Sequence, residues 1–135
     1  MIKLIVGNKG SGKTKTLINL CNDAVEKANG NVVCVEKGLK LTYDISHKVR
    51  LVDIDEYGVE GYDALYGFLA GLMAGNYDIS NIFVDGTFKI GGRDYEAFAQ
   101  MLDKLGKLAG EAEIIFTASC DAAELPERLG KLMMN

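Results

Sequence analysis

Residues 7 to 14 read Gly7-Asn8-Lys9-Gly10-Ser11-Gly12-Lys13-Thr14, and no other stretch constrains this chain so tightly. The spacing is G-x-x-x-x-G-K-[ST]. Its glycines free the backbone to take conformations closed to residues with a Cβ, so successive N–H groups can turn inward around one anionic group. The flanks suit that use. Ile2-Lys3-Leu4-Ile5-Val6 is a short aliphatic run that predicts a buried strand. From Thr14 to Ala28, residues Leu17, Ile18, Leu20, Cys21, Ala24, Val25 and Ala28 recur on one face of a helix. Strand, glycine loop and helix start bring backbone donors and the positive end of a helix dipole to one point.

On these residues, positions 1 to 29 resemble the opening βα unit of the P-loop NTPases, with 7 to 14 as the Walker A loop. The resemblance implies a nucleotide site made by Gly7, Asn8, Lys9, Gly10, Ser11, Gly12, Lys13, Thr14 and Thr16. In it Lys13 reaches the β- and γ-phosphates of ATP, and the Thr14 hydroxyl joins the shell of a Mg²⁺ ion. The extra lysine of the septum-site and partition ATPases, K-G-G-x-G-K-T, falls at Asn8 here, one place before Lys9, so Lys9 reads as a flanking charge. Downstream, Asn81-Ile82-Phe83-Val84-Asp85 is similar to Walker B, whose aspartate holds the metal through water. Gly86 stands where many ATPases carry glutamate, so a catalytic base must come from elsewhere. Glu36 sits where RecA-like ATPases place their water-activating glutamate; the alternative is an exposed strand-end acid. Thr117 or Ser119 resembles the sensor position of the ATPase division with an added central strand.

The 135 residues fit one domain, 1–135, able to bury an adequate core. A net charge of −4 argues against a general nucleic-acid binder. Of the 15 Lys and Arg residues nine lie in the first fifty positions, whereas fifteen of the 19 acids follow position 50, which suits an anionic ligand at the amino-terminal half. Cys21, Cys34 and Cys120 are widely spaced in apolar runs and read as buried reduced thiols. The loop beginning at residue 7 leaves no room for a leader, and Ala64 to Ala74 is too short for a membrane span, so a cytoplasmic protein is expected.

Asn29-Gly30-Asn31 reads as a helix stop with Gly30 at the cap, followed by a buried strand Val32 to Val35 that ends at Glu36. Leu39 to Ile54 reads as two short strands in an edge hairpin. Asp53, Asp55, Glu56, Glu60 and Asp63 read as a solvated acidic loop, with a metal site as the alternative. Tyr62 to Tyr77 predicts a helix carrying Gly67, Gly71 and Gly75, each disfavouring helix by about 1 kcal/mol relative to alanine. Close packing on the sheet or self-association through that face would reward them. Gly86 to Arg93 reads as a mobile loop in which Lys89 and Arg93 can reach phosphate. Asp94 caps a helix running to about Ala109; Glu113 to Ser119 is a strand; Asp121 caps a last helix, Ala122 to Met134, carrying Arg128 as a further phosphate contact.

Strands alternating with helices predict a three-layer α/β/α sandwich with a mainly parallel sheet of four core strands plus an edge pair, and the resemblance makes it a P-loop NTPase fold of minimal RecA-like type. It implies a Mg-dependent ATPase or ATP-driven switch acting through a protein partner, with Lys13, Glu36 and Asp85 in catalysis and Thr14 and Asp85 at the metal. GTP fits less well, since no N-K-x-D occurs. A small-molecule kinase and a non-hydrolysing nucleotide-binding scaffold are the alternatives; three scattered arginines suit the kinase poorly.

Overall fold

Unbroken aliphatic runs make strands where both faces of a sheet are covered, and this chain builds such a sheet. The computed structural model describes residues 1–134. Strands β1 (Ile2–Val6), β2 (Asn31–Glu36), β3 (Arg50–Asp53), β4 (Ile79–Val84) and β5 (Glu113–Ala118) lie in the order β1-β5-β4-β2-β3. Every pairing is parallel. Helices α1 (Lys13–Lys27), α2 (Tyr62–Gly75), α3 (Thr87–Gly91) and α4 (Tyr95–Leu108) join them, so the chain is α/β with a five-stranded, all-parallel sheet.

Side-chain alternation divides the core in two. Ile82 and Val84 enter the core shared with α2 and α4, while Phe83 between them enters the core shared with α1. Val33 and Val35 part from Val32 and Cys34 in the same way. Right-handed crossovers explain which segment covers which face. From β1 to β2 and from β2 to β3 the chain moves one way across the sheet. It lays α1 and residues 37–49 on one side, where Leu17, Cys21, Leu41, Ile45 and Val49 pack together. From β3 to β4 and from β4 to β5 it moves back, so α2 and α4 share the other side.

Several sequence expectations need correction. Residues 39–49 are not half of a hairpin; only Arg50–Asp53 is a strand, and it runs parallel to β2. The preceding segment is a series of turns tied to α1 by the Asn22 amide, which donates to Asp44 O at 2.9 Å and accepts from Ser46 N at 2.8 Å. Its apolar anchors are Leu41, Ile45 and Val49, spaced by four, while Leu39 and Tyr43 of the supposed alternation are exposed. The last helix is two 3₁₀ turns, Ala122–Glu124 and Glu127–Leu132. Pro126 separates them, because proline disfavours helix at the residue before it. Gly86 to Arg93 is not an open loop, since it contains α3. Ala28 caps α1, and Gly30 instead lies against Asp78 O, where a Cβ would collide.

The α2 glycines are not packing devices for the sheet. Tyr62, Leu65 and Leu69 make that contact, and a Cβ at Gly67, Gly71 or Gly75 would meet nothing within 4 Å. No helix of the described residues is long and apolar enough to cross a membrane.

Phe98 of α4 joins these layers, fully buried and edge-on to both Phe88 of α3 and Phe116 of β5. Phe98→Ala is expected to lower unfolding free energy by about 3–5 kcal/mol, measured by chemical denaturation. A loss below about 1 kcal/mol would mean the contact does not hold α3 and α4 to the sheet.

Candidate functional site

The carboxyl ends of four strands meet at one edge of the sheet. β1 and β2 continue onto one face and β4 and β5 onto the other, so the connections part there, the topology at which open α/β sheets bind ligands. Each strand delivers a different group: β1 the glycine loop, β5 Thr117, β4 Asp85 and β2 Glu36.

The loop folds as its glycines require, though not all three for one reason. Gly10 and Gly12 have φ of 89° and 84°, the left-handed region that glycine tolerates. Gly7 has ordinary φ, and its smallness leaves room for Ser11, whose side chain a Cβ would strike. Gly7 N donates to Ala118 O at 3.2 Å, fixing the loop to the end of β5, and Ser11 N donates to Asn8 O at 3.0 Å. Gly12 then caps α1, where Thr16 Oγ1 donates to its carbonyl at 3.1 Å. Lys13 and Thr14 are half-buried at the helix start, whereas Asn8, Lys9, Gly10, Ser11 and Thr16 are exposed.

Asp85 is the hub. Its backbone N–H donates to Val35 O at 2.9 Å, which seats it beside the end of β2. Its Oδ1 accepts from Thr117 Oγ1 at 2.8 Å and from Thr14 Oγ1 at 3.4 Å. Thr117, 1% exposed, also accepts from Gly86 N at 3.0 Å, so its hydroxyl is fully used. Thr14 spends its proton on Asp85 and keeps its lone pairs, and Asp85 Oδ2 has no hydrogen-bond partner among the described residues. A hydroxyl and a carboxylate with free oxygen lone pairs fit a hard cation such as Mg²⁺, which retains several waters. No group of three His, Cys, Asp or Glu side chains placed to hold a metal occurs among the described residues, so the acids from Asp53 to Asp63 are not gathered as ligands.

Glu36 lies next to Asp85 across the β2–β4 pairing but is not an exposed strand-end acid: it is 3% exposed. Its Oε1 accepts from Lys40 N at 2.8 Å and its Oε2 from Leu41 N at 3.2 Å. Burial pushes its carboxyl above the usual value, the two N–H donors oppose the rise, and the charges of Asp85 and Asp53 add to it.

The outlying candidates separate. Arg93 stays near this edge: it donates to Ser119 O at 3.2 Å and Tyr95 Oη at 3.0 Å, with its guanidinium 5.5 Å from the Phe88 ring centre. Arg128 does not belong here. It forms a two-pronged pair with Glu96 and reaches Asp103, close to Met1 and Ile2 at the opposite edge. The pattern of residues gave no sign of three features: the double use of Thr117, the hold of Glu36 on its own loop, and the buried Thr87 hydroxyl, which has no hydrogen-bond partner among the described residues. A polar residue within an otherwise apolar strand was the one available signal for Thr117.

No family model matches the chain, and no curated protein matches it.

The raised carboxyl of Glu36 has a signed consequence. Above the ordinary value of 4.5 the folded chain keeps a proton that the unfolded chain has released. The group's contribution to stability is therefore full below that value and falls as pH rises through the raised one. Glu36→Gln removes this term, so its melting temperature relative to the parent should become more favourable on going from about pH 4 to about pH 7. Parallel melting curves across that range would show that burial does not perturb Glu36.

Proposed function

We propose that the chain is a small Mg-dependent ATP-binding protein of the P-loop NTPase kind, an ATPase or ATP-driven switch that works through a partner. One observation carries the reading: Thr14 of the glycine loop and Asp85 at the end of β4, 71 residues apart in sequence, share a hydrogen bond at the carboxyl edge. The place of β5 between their strands supports a relation to the ATPase division with an added central strand.

In this reading Gly10, Gly12 and the first amides of α1 cradle the β-phosphate, and Lys13 meets the β- and γ-oxygens. A Mg²⁺ ion bound there would supply positive charge against the phosphates. Thr14 and Asp85 hold it, and Thr117 fixes the Asp85 carboxylate through Oδ1. Water attacks the γ-phosphorus as its bond to the β–γ bridging oxygen breaks, and the water's proton passes to Glu36. A base whose proton affinity is raised toward the working pH suits that task. Commitment of Arg128 to Glu96 and Asp103 removes one arginine from any phosphate-covering lid, which weighs against the kinase alternative.

Self-association is the other half of the proposal. The outward face of α2, with Ala64, Gly67, Gly71 and Ala74, carries a single charge, Asp63 in its first turn. One flank leads to Lys48 and Arg50, the other to Asp78 and Glu111. A two-fold axis along α2 sets the basic flank of one copy against the acidic flank of the other, so a second copy is the fitting occupant. Gly71→Leu should shift a concentration-dependent dimer toward monomer in sedimentation. A parent that stays monomeric at every concentration removes this part.

The direct test is phosphate release from Mg·ATP. Lys13→Ala should reduce kcat/KM by about a hundredfold or more, and Thr117→Val should reduce kcat more than ATP affinity. If ATP binds in a Lys13-dependent way and no phosphate is released, the scaffold alternative takes the place of the ATPase. If ATP does not bind, the nucleotide reading fails.

A further inference from the structure

We propose that residues 37–41 are an autoinhibitory latch on Glu36. The inference rests on the reading of Glu36 as the hydrolytic base and adds the regulation of that site. A base must offer a lone pair to water, yet each oxygen of this carboxylate already accepts from a main-chain donor, Lys40 N or Leu41 N, of the loop that follows its own strand, and that loop helps to bury the lone pair each oxygen keeps. The side chain is 3% exposed even though it stands at the edge where ligands bind. Releasing those donors frees the carboxylate to meet a water.

The latch is built to open as a unit. Residues 37, 39 and 40 are exposed, and Leu41 is the apolar anchor at the far end. Gly38 turns with φ of 80°, and its N–H donates to Asp53 Oδ1 at 2.8 Å, while Lys37 pairs with Asp55 at 2.7 Å. The Lys37–Asp55 pair is solvent-exposed and of the kind that contributes little. Residues 37–40 are therefore held mainly by Glu36 and Asp53, with buried Leu41 as the fixed end about which they swing, and Leu39, half-exposed beside them, is where a push from outside would act.

Two variants open the latch by different routes. Lys40→Pro removes the N–H that Glu36 Oε1 accepts, and Asp53→Ala frees Gly38 while leaving both donors to Glu36 in place; it also removes the cap on Asp55 N and one negative charge beside Glu36. Lys40→Ala keeps the N–H and serves as the control. In Mg·ATP turnover, Lys40→Pro and Asp53→Ala should raise kcat about tenfold or more with KM within about twofold, while Lys40→Ala stays at the parent rate. The gain should vanish in the double variants with Glu36→Gln. Thermal melts report folding, and should Lys40→Pro not fold, Asp53→Ala carries the comparison. Folded variants that keep the parent kcat, or a gain that survives Glu36→Gln, overturn the latch and leave the ATPase standing. Lys13-dependent ATP binding with no turnover in any variant also overturns it, while loss of ATP binding throughout overturns the nucleotide reading instead.

Discussion

A parallel sheet with apolar side chains on both faces must be covered twice, and that requirement governs most of what this chain does. Parallel neighbours cannot be joined by tight turns, so each return is a crossover, and the handedness of crossovers leaves little choice of side. Moving one way from β1 through β2 to β3 commits α1 and residues 37–49 to one face; moving back commits α2 and α4 to the other. The parting of the connections at the carboxyl edge follows from this covering, and it leaves the glycine loop exposed there while Glu36 and Thr117 stay buried.

Those polar groups are held to different degrees. Thr117 is enclosed with both hydrogen-bonding capacities satisfied, so it cannot turn without leaving Asp85 or Gly86 unpaired. Asp85 is fixed through one oxygen and open through the other. Lys13 stands half-buried at the start of α1.

The glycine loop and its flanks were legible because they are local: β1 coincides with the aliphatic run, and α1 begins one residue earlier than its apolar face suggested. Asp85 and Thr117 were legible as strand ends, but not their hydrogen bond, since the insertion of β5 between β1 and β4 is a matter of topology. Residues 39–49 misled because Leu39, Leu41 and Tyr43 alternate like a strand, while burial is decided by Leu41, Ile45 and Val49 on the face of α1. The tail misled because Asp121 and Glu124 form a credible helix start; Asp121 does cap a turn, but Pro126 stops it from propagating. The α2 glycines had two readings from sequence, and open space outside them removes one.

Gly86 shows how a backbone requirement bears on which residue can follow Asp85. Its φ of 67° lies in the left-handed region, and in that conformation its N–H reaches Thr117 Oγ1. A side chain there would add strain of roughly 1–2 kcal/mol, against the bond that seats Thr117 on Asp85. The residue after Asp85 is thus bound to be small for the sake of the aspartate itself. A glutamate in that place would compete with the support of the proposed metal site. The nearest remaining edge for a carboxylate is the end of β2, paired to β4 and seated by the Asp85 N–H to Val35 O contact, and Glu36 occupies it. Strand β2 leads directly into the segment that must cross to β3, so Glu36 has a loop of its own beside it, and that loop's amides are the ones that bind its carboxylate.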